Sequence, residues 1–266
     1  MAQPTVQTVI DALIAPVGRL EQTVDTLKCG DPSMTVTGIV TTFMPTQHVL
    51  EEALERKANL VIAHEGLFFA HHDEAGEARG GEVYRAKKQF LEESGIAVFR
   101  FHDYPHRYKP DAITEGLIRQ LEWGAYVRKH EPVASLLELP RATLREIVRY
   151  VKERLDIPHV RYMGDPDMLL TRVGVLVGYR GGAATAVTLF EQEQVELMIY
   201  GEGPEWETPE YVRDAIRQGR RRALIVLGHA ESEEPGMKAL AIDLAGQYPG
   251  LPVHHIRQQQ GLFHFD

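Results

Sequence analysis

The chain has 266 residues, 44% of them hydrophobic, which is enough to bury one large core or two smaller ones. A formal charge of −9 gives no overall basic footprint for nucleic acid or an anionic membrane, although Arg220-Arg221-Arg222 forms a local basic patch. The single cysteine, Cys29, excludes an intrachain disulfide and a thiolate-rich zinc cluster, and no run approaches about 18 apolar residues, so a reduced, cytoplasmic, globular protein is expected.

Strand and helix patterns alternate along most of the chain, which predicts an α/β fold with crossover connections. In the first half, residues 36–42 read as a strand. Residues 45–57 read as a helix with Pro45 in its first turn and Val49, Leu50, Ala53 and Leu54 on one face. Strand 61–63, helix 83–93, strand 96–101 and helix 112–121 follow. The second half opens with a helix at 143–155 and continues through strand 173–177, helix 183–192, strand 195–200, helix 209–219 and strand 223–227. A last helix at 235–245 starts on Pro235 and ends before Gly246. Leu60-Val61-Ile62-Ala63-His64-Glu65-Gly66 overlays Leu197-Met198-Ile199-Tyr200-Gly201-Glu202-Gly203, and Phe101-His102-Asp103 overlays Gly228-His229-Ala230, the pattern of a degenerate duplication. Residues 1–125 with 229–266 are expected to form a first α/β domain and residues 126–228 a second.

The candidate chemistry lies where these strands end, the place where open α/β sheets bind ligands. Strand 61–63 runs directly into His64-Glu65. The next strand runs into His102-Asp103-Tyr104-Pro105-His106, two imidazoles and a carboxylate around a turn stiffened by Pro105. Strand 223–227 runs into Gly228-His229 and an acidic segment. With a helix starting near 232–235, His229 and Glu233 are spaced across strand, loop and helix rather than along one helical face, Ser232 is a candidate cap, and the glutamates complement the helix dipole. Mixed imidazole and carboxylate donors suit zinc, iron, manganese or cobalt with positions left open for water. His71 and His72 read as part of a solvated loop, with contact to substrate as the alternative, His254 and His255 as ordinary strand residues, and Gly178-Tyr179-Arg180-Gly181-Gly182 as a plain turn without the Lys-Ser/Thr ending of a phosphate loop. There is no Gly-x-Ser-x-Gly elbow, and Cys29 has no nearby histidine to activate it.

Together the segments from Leu60 to Phe69, from Phe99 to His102 onward, and from Gly228 to Leu240 resemble the NIF-three-like family, whose members carry the name GTP cyclohydrolase 1 type 2 homologue. The resemblance extends over nearly the whole chain, more loosely before residue 35 and from about 125 to 170. It implies two similar α/β domains with a dinuclear metal centre in the cleft between them, two divalent ions per chain (zinc, iron or manganese), and a ring-shaped homohexamer. Carried over by position, His64 takes the place of the first histidine of the family's His-His pair, and His229 and Glu233 take those of the carboxyl-terminal His and Glu. Glu65 stands where a second histidine is usual, and His106 where an aspartate is usual. One imidazole is lost and one gained, so His64, Glu65, His106, His229 and Glu233 still make three imidazoles and two carboxylates, with Asp103 the rival donor to His106. The implied activity is a metal-dependent hydrolase acting on a small, nucleotide-like or phosphorylated substrate through metal-activated water. Glu65 or Glu233 would alternatively be the general base, with His102 supporting a ligand from behind or shuttling the proton. The alternative is a metal-binding or regulatory interaction protein without turnover.

Overall fold

The computed structural model describes residues 3–72 and 80–257. The chain divides into two compact units, Met1–Tyr108 with Met237–Asp266, and Lys109–Gly236.

The first unit is built on a five-stranded sheet in the order β1 (Leu27–Cys29), β4 (Ala97–Arg100), β3 (Leu60–Ala63), β2 (Ile39–Thr42) and β11 (Val253–His255). All neighbours run parallel except β1, which pairs antiparallel with β4. Every residue of β2, β3 and β4 is buried, as expected of parallel strands covered on both faces. Helix α2 (Gln47–Glu55) is capped by Thr46, whose hydroxyl accepts from Val49 N at 3.3 Å, so its first turn lies after Pro45 rather than on it. Its Val49, Leu50 and Ala53 join Val40, Val61 and Val98 in one apolar cluster. Helix α3 (Glu82–Ser94) stops at Gly95, a left-handed cap with φ +68°. Helix α1 (Val6–Ile14), which the sequence patterns did not predict, buries Val6, Val9, Ile10 and Leu13.

The second unit holds a six-stranded sheet in the order β5 (Val127–Glu131), β6 (Ala134–Thr143), β8 (Leu169–Val175), β9 (Leu197–Tyr200), β10 (Ala223–Val226) and β7 (Arg161–Met163). Strands β8, β9 and β10 are parallel, and β5, β6 and β7 add antiparallel margins that occupy much of the stretch between 125 and 170. Helix α5 (Ala112–Gln120) belongs to this unit. Asp111 caps it by accepting from Ile113 N and Thr114 N at 3.0 Å, and also takes Arg180 Nη1 at 2.9 Å, while Gln120 Nε2 donates to Arg154 O at 2.7 Å. Helix α6 (Leu144–Leu155) opens with a capping box between Thr143 and Glu146. Helices α7 (Ala183–Gln192) and α8 (Thr208–Arg217) link the parallel strands, and the unit boundary falls within α9 (His229–Gln247).

The two parallel triplets share one register. Strand β3 pairs with β4 from Leu60↔Ala97 to Ala63↔Arg100, and β9 pairs with β10 from Leu197↔Ala223 to Tyr200↔Val226. Phe101 N then donates to Ala63 O at 2.8 Å, as Leu227 N donates to Tyr200 O at 2.9 Å. These are two similar α/β domains. Hydrogen bonding equates Phe101 with Leu227, and therefore Asp103 with His229, which corrects the sequence overlay of Phe101 on Gly228 by one residue. Helix α4 (Asp103–Arg107) and helix α9 both begin at that equivalent position.

Candidate metal centre

In the first unit, three imidazoles gather where β3 and β4 end. His64 is fully buried, and its Nδ1 lies 3.1 Å from the Phe101 carbonyl oxygen. A carbonyl can only accept, so the ring proton sits on Nδ1 and Nε2 carries the lone pair. His102 directs Nδ1 to Asp103 Oδ1 at 3.1 Å, and His106 projects from α4. The ring centroids of His64 lie 4.7 Å from His102 and 5.0 Å from His106, and those of His102 and His106 are 5.2 Å apart. One nitrogen from each ring falls within 4.8 Å of the others, the spacing of a shared cation.

Helix α4 corrects the expectation of a bare turn at 102–106. Asp25 nucleates it: Oδ1 accepts from His102 N at 2.8 Å and Asp103 N at 3.0 Å, and Oδ2 accepts from Tyr104 N at 2.9 Å. Burial raises the Asp25 carboxyl above its ordinary pKa, against the lowering effect of those three N–H groups. Pro105 is tolerated because a first-turn N–H has no partner inside the helix. Asp103 has both oxygens committed, Oδ1 to His102 and Oδ2 to Thr23 Oγ1 at 2.8 Å and Val24 N at 3.0 Å. Burial alone would raise its pKa, but the bonds from His102, Thr23 and Val24 outweigh burial and hold it at about 2.

Glu65 is 9% exposed and meets Arg100, whose side chain is buried at the end of β4. Arg100 Nη2 lies 2.8 Å from Glu65 Oε2 and 3.1 Å from His71 Nδ1; Nε lies 3.4 Å from His64 O, and Nη1 donates to His71 O. His71, expected in a solvated loop, is therefore tied to the strand ends. Burial first, and then the Arg100 charge, lower its pKa. Glu65, His71 and His102 form a second group of mutually close donors, with Glu65 Oε1 3.6 Å from His102 Nε2.

In the second unit, α9 begins at His229 and not at 232–235, and Ser232 N closes its first turn on Gly228 O at 3.2 Å. His229 and Glu233 are thus one turn apart on the same face, with Nε2 and Oε2 separated by 3.1 Å, which corrects the strand-loop-helix spacing. Pro235 pointed to the wrong start because an interior proline removes only the N–H that would bond Glu231 O and need not mark the first turn. Ser232 is not a cap: its Oγ accepts from Gly178 N at 2.9 Å and donates to His229 O at 2.7 Å. Glu202 Oε1 lies 3.0 Å from His229 Nδ1, so a carboxylate stands at each nitrogen of the ring. Gly178, at φ +57°, passes so near that a Cβ there would collide with Glu233 Oε1. The glycine-rich turn is one wall of the His229–Glu233 pair.

A family profile described as Duf34/NIF3 (NGG1p interacting factor 3) matches residues 6–260. The chain belongs to the Duf34/NIF3 family. A relative from Clostridium acetobutylicum, named GTP cyclohydrolase 1 type 2 homolog, is 24% identical over 232 residues, covering 83% of this chain and 81% of its own. The crystal structure of Staphylococcus aureus protein SA1388 superposes with a TM-score of 0.77 at 15% identity, over 100% of both chains. A Bacillus cereus protein related to NIF3 gives 0.74 at 14% identity, again over 100% of each. These structures share the NIF3 fold.

The donors of this NIF3 chain fit a divalent cation that accepts nitrogen and oxygen together. His64 and His102 each anchor Nδ1 on a protein oxygen, the arrangement that orients metal-binding imidazoles. Sequence reasoning missed Asp25, Arg100 and the part played by His71; the one available signal was an arginine closing an otherwise apolar strand. Among the described residues no helix is long and apolar enough to cross a membrane.

Proposed function

We propose that this protein is a cytoplasmic metal-dependent hydrolase acting on a small phosphorylated or heterocyclic substrate, with two divalent ions per chain (zinc, iron or manganese). The observation that carries this reading is the convergence of His64, His102 and His106 nitrogens within 4.8 Å, with His64 and His106 taken as ligands and His102 as the proton carrier beside them. We assign His64, Glu65, His106, His229 and Glu233 as ligands. His106 is preferred over Asp103 because the Asp103 oxygens are already committed to His102, Thr23 and Val24. Bound ions of this kind supply an acidified water and polarise the bond to be cleaved. Arg100 orients the Glu65 carboxylate. Glu65 Oε1 faces His102 Nε2 at 3.6 Å, so a proton taken by Glu65 can pass to His102, while Asp103 steadies that ring at Nδ1. Glu233 is the alternative base. The name of the clostridial relative supports a purine nucleotide as one candidate substrate, and the family resemblance supports a homohexamer.

A metal-binding or regulatory role without turnover is the second reading, favoured by the family's description as an interacting factor. Elemental analysis of freshly purified protein kept free of chelators should find two equivalents per chain, and a protein without metal would refute both readings. Turnover assays on phosphomonoesters, phosphodiesters, GTP and cyclic amides separate them. Activity that disappears in a folded His229→Ala variant establishes the hydrolase, and inactivity on all four classes of a metal-replete protein leaves the binding role.

A further inference from the structure

The basic run at 220–222 does not enter the proposed chemistry, yet it is not a scattered surface feature. Arg220, Arg221 and Arg222 lie in the turn leading into β10 and share a groove of about 430 Å³ with Arg141, Leu169 and Ile216. The groove lies at the amino ends of the parallel strands of the second unit, whereas His229 follows the carboxyl end of the same β10. Its volume falls in the range of small-molecule sites.

The four arginines divide into two kinds. Arg221 is anchored on Leu169 O and sits 3.5 Å from Glu196, and Arg222 Nη2 donates to Phe190 O at 3.3 Å with its guanidinium 5.7 Å from the Phe190 ring centroid. Such preorganised forks lose little freedom when an anion arrives. Arg141 and Arg220 are different: among the described residues neither side chain has a hydrogen bond or ion pair. The two acids of the groove do not balance its four arginines: Asp167 pairs with Arg145 at 3.2 Å, and Asp165, whose Oδ1 accepts from Asp167 N at 3.0 Å, leaves a single negative charge against them. In a chain of net charge −9, an arginine-lined groove with two uncommitted guanidiniums selects for multiply charged anions.

We propose that this groove binds a di- or triphosphate group, the guanidiniums gripping the phosphates and the apolar surface of Leu169 and Ile216 accepting whatever the phosphates carry. Nucleotides and inorganic polyphosphate share this chemistry, and the measurement tells them apart. Calorimetric titration of chelator-treated full-length protein with ATP and with inorganic triphosphate should show saturable binding of at least one. ATP binding more tightly identifies a nucleotide site, and equal binding identifies a polyphosphate site. The exposed double substitution Arg141→Gln/Arg220→Gln should weaken that binding by about tenfold or more, while the metal content of the variant as purified, before chelator treatment, stays at the wild-type level. Absence of binding by both ligands, undiminished affinity in the double variant, or binding confined to a single-stranded oligonucleotide would each overturn the proposal.

Discussion

Arg100 holds Glu65 Oε2 at 2.8 Å from a side chain that is itself fully buried. The pair occupies adjacent strand ends, Arg100 closing β4 and Glu65 lying two residues beyond β3, so the sheet itself brings the two charges together. Deleting one member of a buried ion pair strands the other. Arg100→Met should therefore lower unfolding free energy by roughly 3–5 kcal/mol in urea titrations. Adding Glu65→Gln should recover part of that loss. A single variant within about 0.5 kcal/mol of wild type would show that the pair contributes nothing of the kind.

The Asp103–His102 contact predicts a separation between steadying a proton carrier and binding the metal. Asp103→Asn should leave bound metal per chain at the wild-type level by elemental analysis and lower turnover by about 10- to 100-fold, because it loosens the His102 ring without removing a ligand. His106→Ala should lower bound metal per chain. Equal stoichiometry in wild type and His106→Ala would reverse the assignment of these two residues.

Gly178→Ala would press a methyl group onto Glu233 and place alanine at φ +57°. Thermal unfolding should report a loss of roughly 1–3 kcal/mol, and Gly182→Ala, beside the same loop but at φ −72°, should cost much less. Matching midpoints for the two variants would mean that the loop shifts freely and is no wall.

His255 predicts a pH dependence. Burial first, and then the Lys238 charge, lower its pKa from 6.5 to about 4, with Nδ1 3.2 Å from Thr41 Oγ1. Unfolding lets the ring take up a proton. Its contribution is therefore fully present above about pH 6.5 and declines as pH falls toward 4, by on the order of 3 kcal/mol in all. Urea midpoints measured between pH 7 and pH 4 should fall less steeply for His255→Gln than for wild type. Parallel slopes would remove His255 as the cause.

The parallel strands were legible because short, wholly apolar runs such as Leu60–Ala63 and Leu197–Tyr200 are what strands covered on both faces require, and the ends of β3, β4 and β10 run on into His64, residues 102–106 and Gly228-His229. His64, His106 and His229 followed directly from those ends. Helix α4 was not legible. Its nucleating group, Asp25, is 77 residues from the His102 amide it receives, and no local pattern encodes a contact that distant. The start of α9 was hidden by Pro235, which propensity alone assigns to a first turn. Arg100 looked like any strand residue until the sheet placed it against Glu65.

Helices α4 and α9 leave their sheets at equivalent positions, yet one begins with an aspartate and the other with a histidine. Because such sites follow the last strand hydrogen bond, their occupants can drift without disturbing how neighbouring strands align. Laboratory evolution of ion preference in this scaffold is best aimed at the second of these positions, His229, where exchange of one donor type for another leaves the apolar framework untouched.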